Sequence, residues 1–207
     1  DKSIKLHMEY ESTGKLSDAK LDAQFREYLT DVLNKIADEL LSEIGAERVS
    51  DTKVLPYDTL MAQMEAELLP EQIETAETIK EIVALLTEEE IEKYNGKIFS
   101  KDLLKNIRAE KETLDIRLVL SDTFADKTDD EINEYVKDIL GTAGIDKIEK
   151  IAKSIHINVY TTASPNQIEK LSGSDAVRMI FHSNLSSNPP VTFIPDDEDG
   201  PEICGDI

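Results

Sequence analysis

One short phrase occurs twice in this chain. Pro70-Glu71-Gln72-Ile73-Glu74 returns as Pro165-Asn166-Gln167-Ile168-Glu169, 95 residues further on, with four of the five letters unchanged. The flanks agree in pattern: alternating apolar residues precede each copy, and a short helix and a β-rich run follow. A repeat of this kind restricts the fold to one small α/β module used twice, and small duplicated modules bind more often than they catalyse.

The chain's 207 residues suit one large domain or two of modest size. Apolar residues make up 40 % and charged residues 32 %, which is ordinary for a folded protein. Aromatics are scarce at 5 % and Trp is absent, so stacking platforms for bases or sugars are poorly supplied. A net charge of −21 repels phosphate backbones and anionic lipid, which argues against nucleic acid and membrane surfaces as partners. The same charge suits solubility, calcium or a basic partner. No apolar run approaches the ~18 residues of a membrane span, and no signal peptide is visible. The single cysteine, Cys204, cannot form an internal disulfide.

In the first copy, Ile4, Leu6, Met8 and Tyr10 alternate with polar residues and predict a strand. Thr13-Gly14 predicts a turn and Ser17-Asp18 a helix cap. Phe25, Leu29, Val32, Leu33, Ile36, Leu40, Leu41 and Ile44 fall at helical spacing, and Gly45 stops that helix. Leu60 to Ala66 alternate as a second strand, Pro70 opens a short helix, and 79–86 reads as the closing strand with helix as its alternative. In the second copy, Leu114 to Leu120 predict a strand. Thr128 with Glu131 forms a capping-box pattern ahead of a helix ending at Gly141 and Gly144. Ile148 to Ile151 and Ile155 to Tyr160 then enter the sheet. Ser164-Pro165 starts a second helix, and 176–181 close the unit. The expected organisation is a first module at 1–87, a partly helical linker at 88–112, a second module at 113–184 and an acidic, Pro-rich tail at 185–207. The expected class is α+β: two tandem ferredoxin-like modules, each an antiparallel sheet with two helices on one face.

From Gly144 to His182 the run Thr161-Thr162-Ala163-Ser164-Pro165-Asn166-Gln167-Ile168-Glu169-Lys170-Leu171, with its flanking strands, resembles the propeptide-like inhibitors of subtilisin-type serine proteases. Leu60 to Leu86 carries a weaker version. The resemblance implies that the sheet packs on a protease and that the segment after the last strand lies extended in the substrate cleft. Here that segment is Phe181, His182, Ser183, Asn184 and Leu185. The chain departs from the family in having no protease domain after it and in running soon into Pro189-Pro190. At its end, Cys204-Gly205-Asp206-Ile207 resembles the opening of a dockerin repeat and follows an acidic linker, Pro195 to Pro201. That resemblance implies a secreted or cell-surface bacterial protein with a cohesin-type scaffold partner for a further module.

Chemical motifs are few. His7 and His156 fall on the polar side of predicted strands and His182 follows the last one, none with a ligand partner at short spacing, so no metal site is expected. No Gly-x-Ser-x-Gly elbow and no phosphate-cradling loop is present, and Ser172-Gly173-Ser174 reads as a turn. Among 44 acidic residues, no chosen carboxylate pair is informative. Asp197-Glu198-Asp199-Gly200 is similar to part of a calcium loop, but Pro195 stands where its first ligand belongs. No catalytic residue and no cofactor are expected. The leading expectation is a non-catalytic, secreted protein-binding module inhibiting subtilisin-like proteases; the alternative is a structural spacer of a cell-surface or cellulosomal protein.

Overall fold

The computed structural model describes residues 3–10, 23–56, 60–121, 127–153 and 156–183. The expected turn at Thr13-Gly14, the cap at Ser17-Asp18 and the acidic tail, including Cys204-Gly205-Asp206-Ile207, lie outside the described residues. The chain is mixed α+β, as its periodicities predict. Its elements run β1 (Ser3–Tyr10), α1 (Ala23–Glu43), β2 (Lys53–Pro56), β3 (Leu60–Glu67), α2 (Pro70–Thr78), β4 (Ile82–Thr87) and α3 (Glu88–Tyr94). There follow α4 (Lys101–Arg108), β5 (Leu114–Leu120), α5 (Asp129–Thr142), β6 (Lys150–Lys153), β7 (Ile157–Ala163), α6 (Pro165–Ser172) and β8 (Val177–His182). No helix of the described residues is long and apolar enough to cross a membrane.

The strands form two four-stranded antiparallel sheets with matching orders, β2-β3-β1-β4 and β6-β7-β5-β8. Even the irregularities match. Pairing skips one residue between His7 and Met8 opposite β4, and one between Val119 and Leu120 opposite β8. The residues left over are Val83 and Arg178, again 95 apart. A bulge at the same place in both sheets bends the last strand and redirects one side chain.

The repeated phrase has a structural task. α1 and α5 both end on a glycine with positive φ, Gly45 (69°) and Gly144 (73°). In each, the following residue's N–H reaches back to the helix, Ala46 to Leu41 O and Ile145 to Leu140 O, which is a Schellman closure. The glutamine of the phrase then joins the two helices of its unit. Gln72 Nε2 donates to Gly45 O at 2.7 Å, and Gln167 Nε2 donates to Gly144 O at 2.9 Å. The other amide atom caps the second helix: Leu69 N–H donates to Gln72 Oε1 at 2.7 Å and Ser164 N–H donates to Gln167 Oε1 at 2.9 Å. Gly141, by contrast with the expectation that it ends its helix, lies inside α5. The left-handed residue that turns the chain is Gly144.

The copies differ at the cap. Ser164 (φ −78°, ψ 162°) accepts a hydrogen bond from Gln167 N–H and completes a capping box. Leu69 has nearly the same backbone (φ −75°, ψ 158°), but its side chain has no acceptor and stands 57 % exposed. Leu69→Ser should therefore stabilise the protein by about 1 kcal/mol and raise Tm by about 2–4 °C, read by thermal denaturation. No change in Tm would show that the exposed leucine makes contacts that offset the missing cap.

Each sheet carries its helices on one face. α1 and α2 enclose a cluster of Ala37, Leu41, Ile44, Ala76, Met64, Ala66, Ile82 and Leu85. α5 and α6 enclose a larger one with Ile132, Val136, Ile139, Ile168 and Leu171 over Ile116, Leu118, Leu120 and Val159. That second cluster also takes in Ala84 and Leu86 of β4, with Tyr94, Ile98, Leu103 and Leu104 from the α3–α4 segment. Strand β4 thus contributes side chains to both clusters.

Polar contacts fasten α3 and α4 in place. Lys101 Nζ donates to three carbonyls at the end of α2: Ala76 O, Glu77 O and Ile79 O. Arg108 holds Glu90 through two 2.7 Å bonds and donates to Leu85 O at 2.7 Å. Glu90 itself completes the α3 capping box with Thr87. Lys97 Nζ reaches Ser174 O at 2.7 Å. The backbone of Lys97 and Phe99 brackets Ile180, at 2.7 and 3.0 Å, and so pairs with the outer edge of β8.

Candidate docking face of the second sheet

Alternation along β5–β8 separates two faces. Ile116, Leu118, Val159 and Ile180 point into the helix-covered core. Asp115, Arg117, Val119, Asn158, Tyr160, Thr162, Met179 and Phe181 therefore lie on the opposite face, which carries neither α5 nor α6. The register sorts these residues into rows. Val119 is level with Asn158 and Met179; Arg117 is level with Tyr160 and Phe181; Asp115 is level with Thr162. Lys150 extends the middle row, being paired with Tyr160.

The upper row is apolar and closed at Val119 and Met179. Val119 and Met179 are buried against Phe99, with Val83 and Phe181 packed on the group. The middle row alternates cation and ring. Lys150 Nζ lies 5.6 Å from the Tyr160 centroid, and the Arg117 guanidinium carbon lies 4.4 Å from that of Phe181. Phe181 in turn meets Phe99 with centroids 6.1 Å apart. All four middle-row side chains are half-buried. Such contacts hold long side chains in place while leaving ring faces and donors available, each pair contributing about 0.5–1 kcal/mol at exposed sites. Two cations in one row are also a local reversal in a chain of 44 acidic and 23 basic residues.

The residues implied by the inhibitor resemblance fall partly on this face. Phe181 is in the middle row. His182 is the last residue of β8, paired with Ile116, and Ser183 follows with its N–H donating to Asp115 O at 2.9 Å. Phe181 and His182 are thus within the strand rather than beyond it. His182 Nδ1 and Ser183 Oγ are buried with no hydrogen-bond partner among the described residues. Asn184 and Leu185 lie outside the described residues.

His156 departs from the polar-face expectation. It sits one residue before β7, only 8 % exposed, with Nε2 3.1 Å from an Arg178 nitrogen. The bulge that displaces Arg178 brings its guanidinium to this ring, a tertiary effect that strand alternation does not anticipate. Among the described residues no group of three or more His, Cys, Asp or Glu is placed to hold a metal ion. Nothing local in the sequence marks the middle row, because its members come from four strands, the other three lying 33 to 64 residues along the chain from Arg117. Only the register makes them neighbours. No family model matches the chain, and no curated protein matches it either.

Proposed function

We propose that the protein is a non-catalytic protein-binding module that docks a partner on the helix-free face of its second sheet. The observation that carries this reading is the Lys150–Tyr160–Arg117–Phe181 row. It presents ordered rings and cations, the side-chain types that dominate binding energy in protein interfaces. A strand order of β2-β3-β1-β4 with two helices on one face, repeated in the second half, supports assigning each half as a ferredoxin-like unit. With the inhibitor resemblance, that assignment makes a subtilisin-like serine protease the first partner to test, in a secreted or cell-surface setting.

The test is titration of subtilisin activity with the full chain. The expected result is stoichiometric inhibition, weakened at least about tenfold by Arg117→Ala and further by Arg117→Ala with Tyr160→Ala, with Tm within about 2 °C of the parent. Protease activity unchanged at micromolar protein rejects the inhibitor reading.

A second reading has its own support. The bonds of Lys101, Arg108 and Lys97, with a side-chain cluster shared by both halves, fasten the two sheets to one connector. A fastened pair of units suits a spacer in a larger cell-surface or cellulosomal assembly, its dockerin-like end engaging a cohesin-type partner. The residues that follow Ile207 in the full gene product test this version: a continuing calcium-loop sequence supports it, and its absence removes the cohesin link.

A further inference from the structure

A second feature adjoins the docking face, with Phe99 common to both. Between the two sheets lies a cleft of about 430 Å³, in the size range of small-molecule sites. Lys53 and Gln63 of the first sheet form one side; Asp175 and Arg178, at the start of β8, form another. The third is the turn that ends α3, where Asn95 (φ 51°) and Gly96 (φ 62°) are both left-handed and deliver Lys97 into the opening. Ile91, Phe99 and Val177 supply apolar wall.

The charges are the reverse of the molecule's. Across the chain acids outnumber bases 44 to 23, yet the charged residues lining this cleft are Lys53, Lys97 and Arg178 against Asp175 alone. Concentrating cations in a concave, partly desolvated place focuses positive potential there. The Lys53 ammonium and the Gln63 and Asn95 amides make no hydrogen bond among the described residues, so each has donors to offer. We propose that this cleft binds a small oxyanion, a phosphate- or carboxylate-bearing molecule of metabolite size. Lys53 and Lys97 meet the anionic group, and the Gln63 and Asn95 amides bond polar substituents beside it. Burial holds the Lys97 ammonium below its ordinary pKa despite the opposing effect of Asp175, so an anion that arrives there also relieves a desolvated cation.

The experiment is a titration of the full chain at low salt, followed by backbone amide NMR, with inorganic phosphate in one arm and citrate in the other. The expected result is saturable shifts at Gly96, Lys97, Ser121 and Asp175 in at least one arm, the arm identifying the anion class. Lys53→Glu should weaken binding about tenfold or more, while Lys150→Glu, on the docking face, should leave it within about twofold. Arg117→Ala should have no effect, which separates failure of this site from failure of the docking face. The proposal is overturned if neither anion saturates a shift by ~20 mM, or if Lys53→Glu and Lys150→Glu weaken binding equally, since that is a bulk charge effect.

Discussion

Leu103→Ala should lower stability by about 3 kcal/mol and Tm by about 6–12 °C, the largest effect expected of any single truncation considered for this protein. Leu103 is fully buried in α4. Its neighbours belong to one apolar cluster reaching from Ala84 and Leu86 in the first sheet to Ile180 in the second. Truncation removes the transfer free energy of the lost methyl groups and leaves a cavity walled by both halves. Hydrogen exchange should show amides of β4 and β8 losing protection together. A cost below about 1 kcal/mol, with protection lost in α4 alone, would show that the segment between the sheets is a passive tether.

Arg108→Met should cost about 2 kcal/mol at pH 7, measured by chemical denaturation. Breaking a fully buried pair costs about 3–5 kcal/mol; the Arg108 side chain is 39 % exposed, so the figure is discounted. The substitution removes both bonds to Glu90 and the bond to Leu85 O, leaving a carboxylate whose side chain is only 18 % exposed. The pH dependence gives a separate signature. Burial alone would raise the Glu90 pKa, but hydrogen bonds from Arg108 and from the Thr87 backbone more than offset it, and the carboxyl stays below its ordinary value. A depressed carboxylate contributes stability above its unfolded pKa of about 4.3 and loses it as pH falls through the folded value. The gap between parent and Arg108→Met should therefore be full at pH 7 and shrink below about pH 4. A gap independent of pH would mean that Arg108 acts by packing, not by charge.

Much of the fold could be read from local chemistry. Gly45 after an apolar stripe, Pro70 and Pro165 at first helical positions, Thr128 with Glu131, and alternation along β3 and β7 each placed an element near its observed bounds. These signals act within a turn or a strand, so they survive without knowledge of the rest. Boundaries slipped where a local signal was ambiguous: Gly141 can end a helix but does not have to, and only Gly144 takes positive φ. The stretch 88–112 read as a polar, partly helical linker. Its Lys97, Lys101 and Arg108 bond carbonyls of neighbouring elements, while Tyr94, Ile98, Phe99, Leu103 and Leu104 are buried. Five apolar residues spread over eleven positions leave little periodic trace.

The candidate sites were less legible. The inhibitor resemblance marks Phe181, but no local signal marks its companions Arg117, Tyr160 and Lys150, or Lys53 and Lys97 of the cleft. Sequence by itself determined the repeat, the alternation of strand and helix, and the turns and caps, because those depend on backbone preference and on side chains within four residues of one another. Tertiary structure alone decided which rings meet which cations and where the bases gather in an acidic chain. It also decided which face of the second sheet lies open. Such features depend on strand register and on the packing of α3 and α4, which bring together groups far apart along the backbone.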